Sequence, residues 1–205
     1  MGEFEARIVP AVVEKKVIPV ASYGHRLRIA KLFDSHEEFM YKIITVAGWA
    51  KTTRSGGKDF CFIELTDGSF IKGLQVIVTK EIEGFEQISK ANVGTSFKIK
   101  GTLIKSPAQG QLFELQVSRP DRGHFVEIVG PCDAKKYPLA KKRHTNEYLR
   151  EIAHLRPRTN LIGAMSRVRN NLAYATHQFF QQRGFLYVHT PIITASDCEG
   201  AGQMF

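Results

Sequence analysis

The sequence has few cysteines and no long apolar run. Its three cysteines, Cys61, Cys132 and Cys198, are an odd number at wide spacing, and no CxxC pair is present. We interpret them as free thiols in a reducing compartment, because zinc ribbons and redox pairs need closely spaced cysteines. No apolar run approaches the roughly 20 residues of a membrane span, which excludes an integral membrane protein. The seven histidines form neither HxxxH nor HExxH, so no metal site is predicted.

The first part of the chain also lacks the features of a targeting segment. Residues 1–20 carry acidic side chains and two prolines, and no apolar block follows a basic cap. Neither a signal peptide nor a transit peptide is therefore predicted, and we expect a cytoplasmic location.

Acidic residues are outnumbered by basic ones. Asp and Glu total 20 against 29 Lys and Arg, which gives a formal net charge of +9. The excess is concentrated in residues 135–169, where ten basic side chains accompany two acidic ones. A local positive field of this kind favours a polyanionic partner. The alternative is a basic, solvated surface that binds nothing.

The first half of the chain has the pattern of short β-strands separated by turns. Alternating apolar, β-branched and aromatic residues predict five strands, at 41–50, 58–65, 70–78, 96–104 and 112–118. A short helix is predicted at 81–90, between the third and fourth strands. This order is typical of the OB-fold, a five-stranded barrel that binds oligonucleotides. Other five-stranded barrels remain open from the pattern alone.

Helical periodicity replaces strand alternation in the second half. One more strand is predicted at 123–130, and the two prolines and five basic residues of 131–144 indicate a linker. Apolar residues at 161, 165, 168, 172, 175 and 179 then predict one long amphipathic helix. Thr159 or Asn160 is expected to cap its start, and Gly184 to end it. Residues 185–190 predict a strand that stops at Pro191.

The second half is expected to be an incomplete domain. One long helix and one strand cannot close a sheet-based core, because the strand needs neighbours. Alternatively, the helix and the strand dock on a second copy of the chain or on the barrel. The expected divisions are an N-terminal extension at 1–27, a barrel at 28–130, a basic linker at 131–145 and the start of the second domain at 146–205.

Strand alternation predicts which side chains face away from the barrel interior. These residues combine an aromatic platform, amides and carboxylates: Phe60, Phe62, Glu64, Gln75, Ile77, Glu114 and Gln116. Arg54 lies beside them at the end of the first strand. Aromatic rings stack on bases, amides and carboxylates read base edges, and arginine binds phosphate. The alternative is that a loop covers Phe60 and Phe62, which then form a second small core.

The residues of this face carry a family resemblance. GWAKTTR (48–54), F-x-x-L-x-DGS (62–69) and LQV (74–76) resemble the anticodon-binding barrel of class IIb aminoacyl-tRNA synthetases, which charge asparagine, aspartate or lysine. Downstream, YPLAKKRHTNEYLREIAHLRPRTNLIGAMSRVRN and RGFLYVHTPIITASDCEGAG closely resemble asparaginyl-tRNA synthetases of the bacterial and organellar type. The resemblance extends from about residue 25 to the end of the sequence.

The resemblance implies a fold and a set of site residues. The fold is an OB-fold barrel, a linker, and then the first helices and the motif 1 strand of the antiparallel-sheet catalytic domain of a class II synthetase. Phe62 is implied to stack on the central anticodon uridine, with Gln75 beside it. Arg54 and Glu114 match further anticodon contacts. Glu199 matches a residue that binds the amino group of the substrate amino acid.

The stretch RGFLYVHTPII (183–193) resembles motif 1 of class II synthetases and contains Gly184 and Pro191. In the family this element builds the interface of a homodimer.

The resemblance also implies an activity. The family activates asparagine with ATP and Mg²⁺ and attaches it to tRNA(Asn). Two departures are present: Gln203 replaces an expected glutamate, and no segment matches motifs 2 and 3, which carry the ATP-binding arginines. We therefore expect this chain alone to bind neither cofactor and to show no asparagine-dependent pyrophosphate exchange. The alternatives are a stand-alone, non-catalytic OB-fold RNA-binding protein derived from a synthetase, and a class IIb synthetase for aspartate or lysine.

Overall fold

The computed structural model describes residues 26–139 and 142–193. These residues belong to two compact units. The first contains the chain through Cys132 apart from Gly68–Lys72, and the second contains Gly68–Lys72 together with the chain from Asp133 onward.

Six strands build the first unit, and five of them close into a barrel. They are β1 (Ile43–Ser55), β2 (Phe60–Thr66), β3 (Leu74–Thr79), β4 (Ser96–Lys105), β5 (Phe113–Val117) and β6 (Phe125–Gly130). Hydrogen-bonded neighbours follow the order β1-β2-β3-β5-β4, and a β1–β4 pairing closes the ring. β3 and β5 run parallel, and β6 pairs with β4. The predicted five-stranded OB-fold barrel and the additional strand are confirmed.

β1 is long enough to pair with two neighbours. Its first part pairs with β4 from Ile43 to Trp49, and its second part pairs with β2 from Trp49 to Ser55. The register shifts between Ala50 and Thr52. A bulge bends a strand and helps a sheet to close on itself. β1 extends past its predicted end at residue 50 because the polar residues beyond Ala50 still hydrogen-bond to β2.

One alternating set of apolar side chains fills the barrel. Each of the five barrel strands contributes a residue that is 0% exposed: Val46, Ile63, Val76, Ile99 and Leu115. Burying an aliphatic side chain of this size contributes about 1.5–3 kcal/mol. This set determines which side of each strand faces outward, because successive side chains point to opposite faces.

β3 begins later than the sequence predicts. The pattern indicated a strand at 70–78, whereas β3 spans Leu74–Thr79 and an irregular loop precedes it. Gly68, with a φ of 75°, turns the chain out of β2. The pairing of β2 with β3 reaches only as far as Leu65 opposite Leu74. Residues 70–73 would have to pair with the turn itself, so they form no strand.

Two short helices accompany the barrel. The predicted helix between β3 and β4 is confirmed as α2 (Phe85–Ser89). The pattern did not predict α1 (Ile29–Ser35), in which Leu32 is 0% exposed. The Ile29 N–H at its start donates to Asp67 Oδ2 at 2.9 Å. Such a short helix has little stability of its own, so contacts with distant residues determine it. Residues 1–25 of the predicted extension lie outside the described residues.

The second unit contains α3 (Asn146–Glu151) and α4 (Asn160–Gln181), which confirms the predicted long helix. The Phe185 N–H donates to the Phe180 carbonyl oxygen at 3.2 Å, across Gly184, whose φ is 81°. This arrangement is typical of a glycine-terminated helix. Thr159 is the N-cap residue of α4, as predicted. Thr159 makes no capping hydrogen bond, and its hydroxyl donates to the Arg156 carbonyl oxygen at 2.7 Å.

The strand predicted at 185–190 is also not present. The second unit contains no other strand within its described residues, so the backbone N–H and C=O groups of this segment have no ladder to join. Leu186 is 90% exposed. The apolar stripe of α4 is exposed as well, at 49–63% for each of its large side chains: Leu161, Met165, Val168, Leu172 and Phe179.

Candidate nucleic-acid interface

The outward sides of four barrel strands carry one continuous row of side chains. Arg54 of β1 lies opposite Phe62 of β2, and Phe62 lies opposite Ile77 of β3. Ile77 in turn lies opposite Gln116 of β5. In the next row, Glu64 lies opposite Gln75. We call this surface the outer face and define it by Phe60 and these residues: Arg54, Phe62, Glu64, Gln75, Ile77 and Gln116.

Phe62 lies at the centre of the outer face. The Arg54 guanidinium carbon is 5.5 Å from the centroid of its ring. The ring of Phe60 meets it edge-on, with the centroids 5.4 Å apart. Phe60 is 37% exposed, and Phe62 is half-buried. A covered second core would bury both rings, so the exposure of Phe60 argues against that alternative.

The Glu64 carboxylate is engaged within the same face. Lys51 Nζ lies 3.5 Å from Glu64 Oε1. On its other side, a Cβ added at Gly73 would lie only 2.5 Å from Glu64 Cγ, so the backbone passes directly against this side chain. Glu64 is therefore held by its neighbours, and Gln75 opposite it is the neutral hydrogen-bonding group of this row.

Glu114 differs from its prediction because it is covered. Strand alternation placed its side chain on the open surface, but the residue is only 5% exposed. Ser106 Oγ donates to Glu114 Oε2 at 2.9 Å, and Gln111 Nε2 donates to the same oxygen at 3.2 Å. The loop between β4 and β5 folds over the carboxylate, an effect that strand alternation does not contain. β3 and β5 are parallel, and Leu115 lies opposite Val76. Glu114, one residue before Leu115, is therefore next to the row of Gln75, one residue before Val76.

Two of the other predicted site residues, Gly184 and Pro191, belong to the second unit. Gly184 adopts its positive φ just past the end of α4, and Pro191 is exposed. Glu199, like Cys198, lies outside the described residues.

Cys61 lies buried in the barrel. Burial raises the pKa of the Cys61 thiol to about 11, so it remains protonated at neutral pH and is a poor nucleophile. Within residues 26–139 and 142–193, no group of three His, Cys, Asp or Glu side chains could hold a metal ion. None of the helices in these two ranges is both long enough and apolar enough to cross a membrane.

Comparison with known proteins relates this chain to a group of enzymes. The family model of the OB-fold nucleic acid binding domain matches residues 44–121. The asparagine--tRNA ligase of Protochlamydia amoebophila is 55% identical over 163 residues, which are 79% of this chain and 33% of the relative. That of Clostridium tetani is 48% identical over 180 residues, which are 88% of this chain and 37% of the relative. Over these residues, the chain is similar to the asparagine--tRNA ligases.

Solved structures of aminoacyl-tRNA synthetases share the fold of this chain. The asparaginyl-tRNA synthetase from Pyrococcus horikoshii, complexed with asparaginyl-adenylate, has a TM-score of 0.68 and 22% identity, covering 80% of this chain and 36% of that one. A putative aspartyl-tRNA synthetase from Leishmania major has a TM-score of 0.65 and 19% identity, covering 85% and 36%. At this identity the likeness shows the fold alone. The chain spans about a third of the length of the asparagine--tRNA ligases that it matches.

Three residues of the region were not singled out by sequence pattern. Lys51 pairs with Glu64, and Ser106 and Gln111 contact Glu114. SPAQGQ (106–111) has the composition of a loop, which conceals the polar contacts that it makes. The sequence does contain one signal for these contacts, the carboxylate of Glu114 among the apolar residues of β5. A buried carboxylate needs hydrogen-bond donors nearby.

Proposed function

We propose that the first unit binds the anticodon of tRNA(Asn) through the outer face. The observation that carries this proposal is the half-buried Phe62 ring, with Arg54 at 5.5 Å and Gln75 in the adjacent row. Phe62 stacks on the central uridine, Gln75 hydrogen-bonds to its edge, and Arg54 contacts a neighbouring phosphate or base. Single-stranded RNA is read by stacking on aromatic side chains and by hydrogen bonds to base edges. The net charge of +9 supports a polyanionic partner.

We further infer that the chain supplies the anticodon-binding part of an asparagine--tRNA ligase. Such an enzyme activates asparagine with ATP and Mg²⁺ and esterifies tRNA(Asn) in the cytoplasm. The 55% and 48% identities to two asparagine--tRNA ligases support asparagine over aspartate or lysine. Glu199 would contact the amino group of asparagine.

The second unit is proposed to contribute to a homodimer. α4 leaves its apolar stripe exposed, and Leu172 in its middle is 63% exposed. The segment with Gly184 and Pro191 follows the helix directly. A second copy of the chain, packed on this stripe, would remove the apolar surface from water.

Binding of anticodon stem-loops tests the proposed function. One RNA carries GUU, and a second has its central base changed. Phe62→Ala should weaken binding of both by about 1–3 kcal/mol, because stacking is nearly indifferent to base identity. Gln75→Ala should cost less, on the order of 1 kcal/mol, but should reduce discrimination at the central base, because an edge contact depends on base identity.

Ile63→Ala is the matched control, since this residue neighbours Phe62 but points into the barrel and is 0% exposed. It should lower stability by about 2–5 kcal/mol without changing base preference. If folded Phe62→Ala binds both stem-loops as tightly as wild type, the outer face is not the RNA site.

A further inference from the structure

The loop between β4 and β5 is held in a defined conformation over Glu114. The Ser106 N–H donates to the Leu112 carbonyl oxygen, and the Gln111 N–H to the Ala108 carbonyl oxygen, each at 3.3 Å. The Ala108 N–H donates to Ser106 Oγ at 3.2 Å, and the Ser106 hydroxyl in turn donates a hydrogen bond to Glu114 Oε2 at 2.9 Å. The loop is therefore tied to a buried carboxylate next to the row of Gln75.

The side-chain amide of Gln111 has one favourable orientation in this loop. Its Nε2 donates to Glu114 Oε2 and to the Phe113 carbonyl oxygen, both at 3.2 Å. An amide nitrogen has two N–H donors, and both are used. A flipped amide would place its oxygen against two acceptors, which repel it. Gln111 Oε1 is thus oriented away from both contacts as a fixed acceptor, and the residue itself is half-buried.

We propose that Gln111 is a further base-reading residue and that Glu114 is its positioning residue. This rests on the proposed function. An acceptor of fixed orientation accepts a hydrogen bond from a ring or amino N–H group but repels a carbonyl oxygen or an unprotonated ring nitrogen at the same point, so it distinguishes bases by the group that each presents there. Glu114, at 5% exposure, acts through Gln111 by preventing the amide from flipping.

The experiment measures the dissociation constants of the full chain for four stem-loops: GUU and three RNAs with one anticodon base changed in each. For each position, the ratio of dissociation constants defines base selectivity. Gln111→Leu should reduce this ratio at one position by about three- to tenfold, the worth of one neutral hydrogen bond. Glu114→Gln should reduce the ratio at the same position, because an amide there can accept from or donate to Gln111 and no longer sets its orientation.

Gln87→Leu is the matched control, because Gln87 is an exposed glutamine on α2, away from β5 in sequence and not part of the outer face. It should keep all three ratios at their wild-type values. Thermal unfolding establishes that each variant is folded. If Glu114→Gln does not fold, Glu114→Asp replaces it, since the side chain is shorter by one methylene and withdraws the carboxylate from Gln111 Nε2.

Each outcome decides the proposal. If Gln111→Leu keeps all three ratios while Phe62→Ala weakens binding, the anticodon function stands and Gln111 is not a base-reading residue. If Gln111→Leu lowers a ratio but neither folded Glu114→Gln nor folded Glu114→Asp does, Glu114 is not its positioning residue. If Phe62→Ala also leaves binding unchanged, the outer face does not bind RNA and both proposals fail together.

Discussion

The buried imidazole of His124 makes the barrel sensitive to acid. The residue is 5% exposed, and its Nδ1 accepts the backbone N–H groups of Ser118 and Arg119, both at 3.2 Å. Because Nδ1 accepts, Nε2 carries the proton in the neutral ring and donates to Thr102 Oγ1 at 3.0 Å. The ring thereby joins β4 to the end of β5, the strand that carries Glu114 and Gln116.

The neutral form of His124 is the one that this site accommodates. Burial lowers the pKa of His124 below its usual value of 6.5. Asp121 opposes this shift, whereas Arg119, Arg122 and Lys100 add to it. Protonation would also place an N–H at Nδ1, facing two other donors. As the pH falls through 6.5, the unfolded chain takes up a proton that the folded chain resists. The free energy of unfolding should therefore decrease toward acid pH.

His124→Ala is the decisive perturbation. It removes the partners of two backbone N–H groups and of Thr102, and it leaves a cavity where the ring was. Three hydrogen bonds at about 0.5–1.5 kcal/mol each predict a loss of about 1.5–4.5 kcal/mol at pH 7.5. Denaturant unfolding at pH 7.5 and 5.5 measures it, with the fluorescence of Trp49, the single tryptophan, as the probe. The decrease in stability between the two pH values should be smaller in the variant than in wild type.

Thr102→Val provides the matched control, because it removes only the partner of Nε2 and retains the ring. It should cost about 1 kcal/mol and keep the pH dependence of the wild type. If His124→Ala and wild type lose the same free energy between pH 7.5 and 5.5, the reasoning about the buried neutral ring is wrong.

Two further predictions concern RNA binding and assembly. If Arg54 contacts a phosphate, Arg54→Ala should reduce the magnitude of the slope of log affinity against log salt concentration by about 0.7–0.9. The control is Lys80→Ala, which removes a lysine paired with Asp59 and should leave the slope unchanged. Equal slopes for the two variants would exclude the phosphate contact. In light scattering, the chain should be a dimer or larger, and Leu172→Glu should shift it toward the monomer because a charge cannot remain in an apolar contact; a monomeric wild type would contradict the dimer proposal.

Local patterns were sufficient for the main elements of this chain. Alternation identified the strands and the inward side chains such as Ile63 and Val76, because one buried face imposes a period of two. The apolar period of the second half identified α4. Family resemblance, carried by GWAKTTR and the motif 1 stretch, indicated the asparaginyl-tRNA synthetases. These signals lie within short windows, so they needed no knowledge of what lies nearby in space.

Other features depend on contacts between residues that are distant in the sequence. The short α1 exists because Leu32 is buried and Asp67 caps Ile29, neither of which has a local signature. The absence of a strand at 185–190 follows from the lack of a neighbouring strand among the described residues of the second unit, although its residue types favour one.

The candidate site shows the same division. By itself, the sequence placed Phe62 and Gln75 on the outward side of neighbouring strands, because the pleat alternates without regard to the rest of the fold. Only the tertiary structure could show that Glu114 is covered. Its burial depends on how the loop from Ser106 to Leu112 folds back and donates hydrogen bonds to the carboxylate. A carboxylate in the interior is stable only where donors meet it, and the loop conformation that brings Gln111 there is set by the closed barrel beneath it.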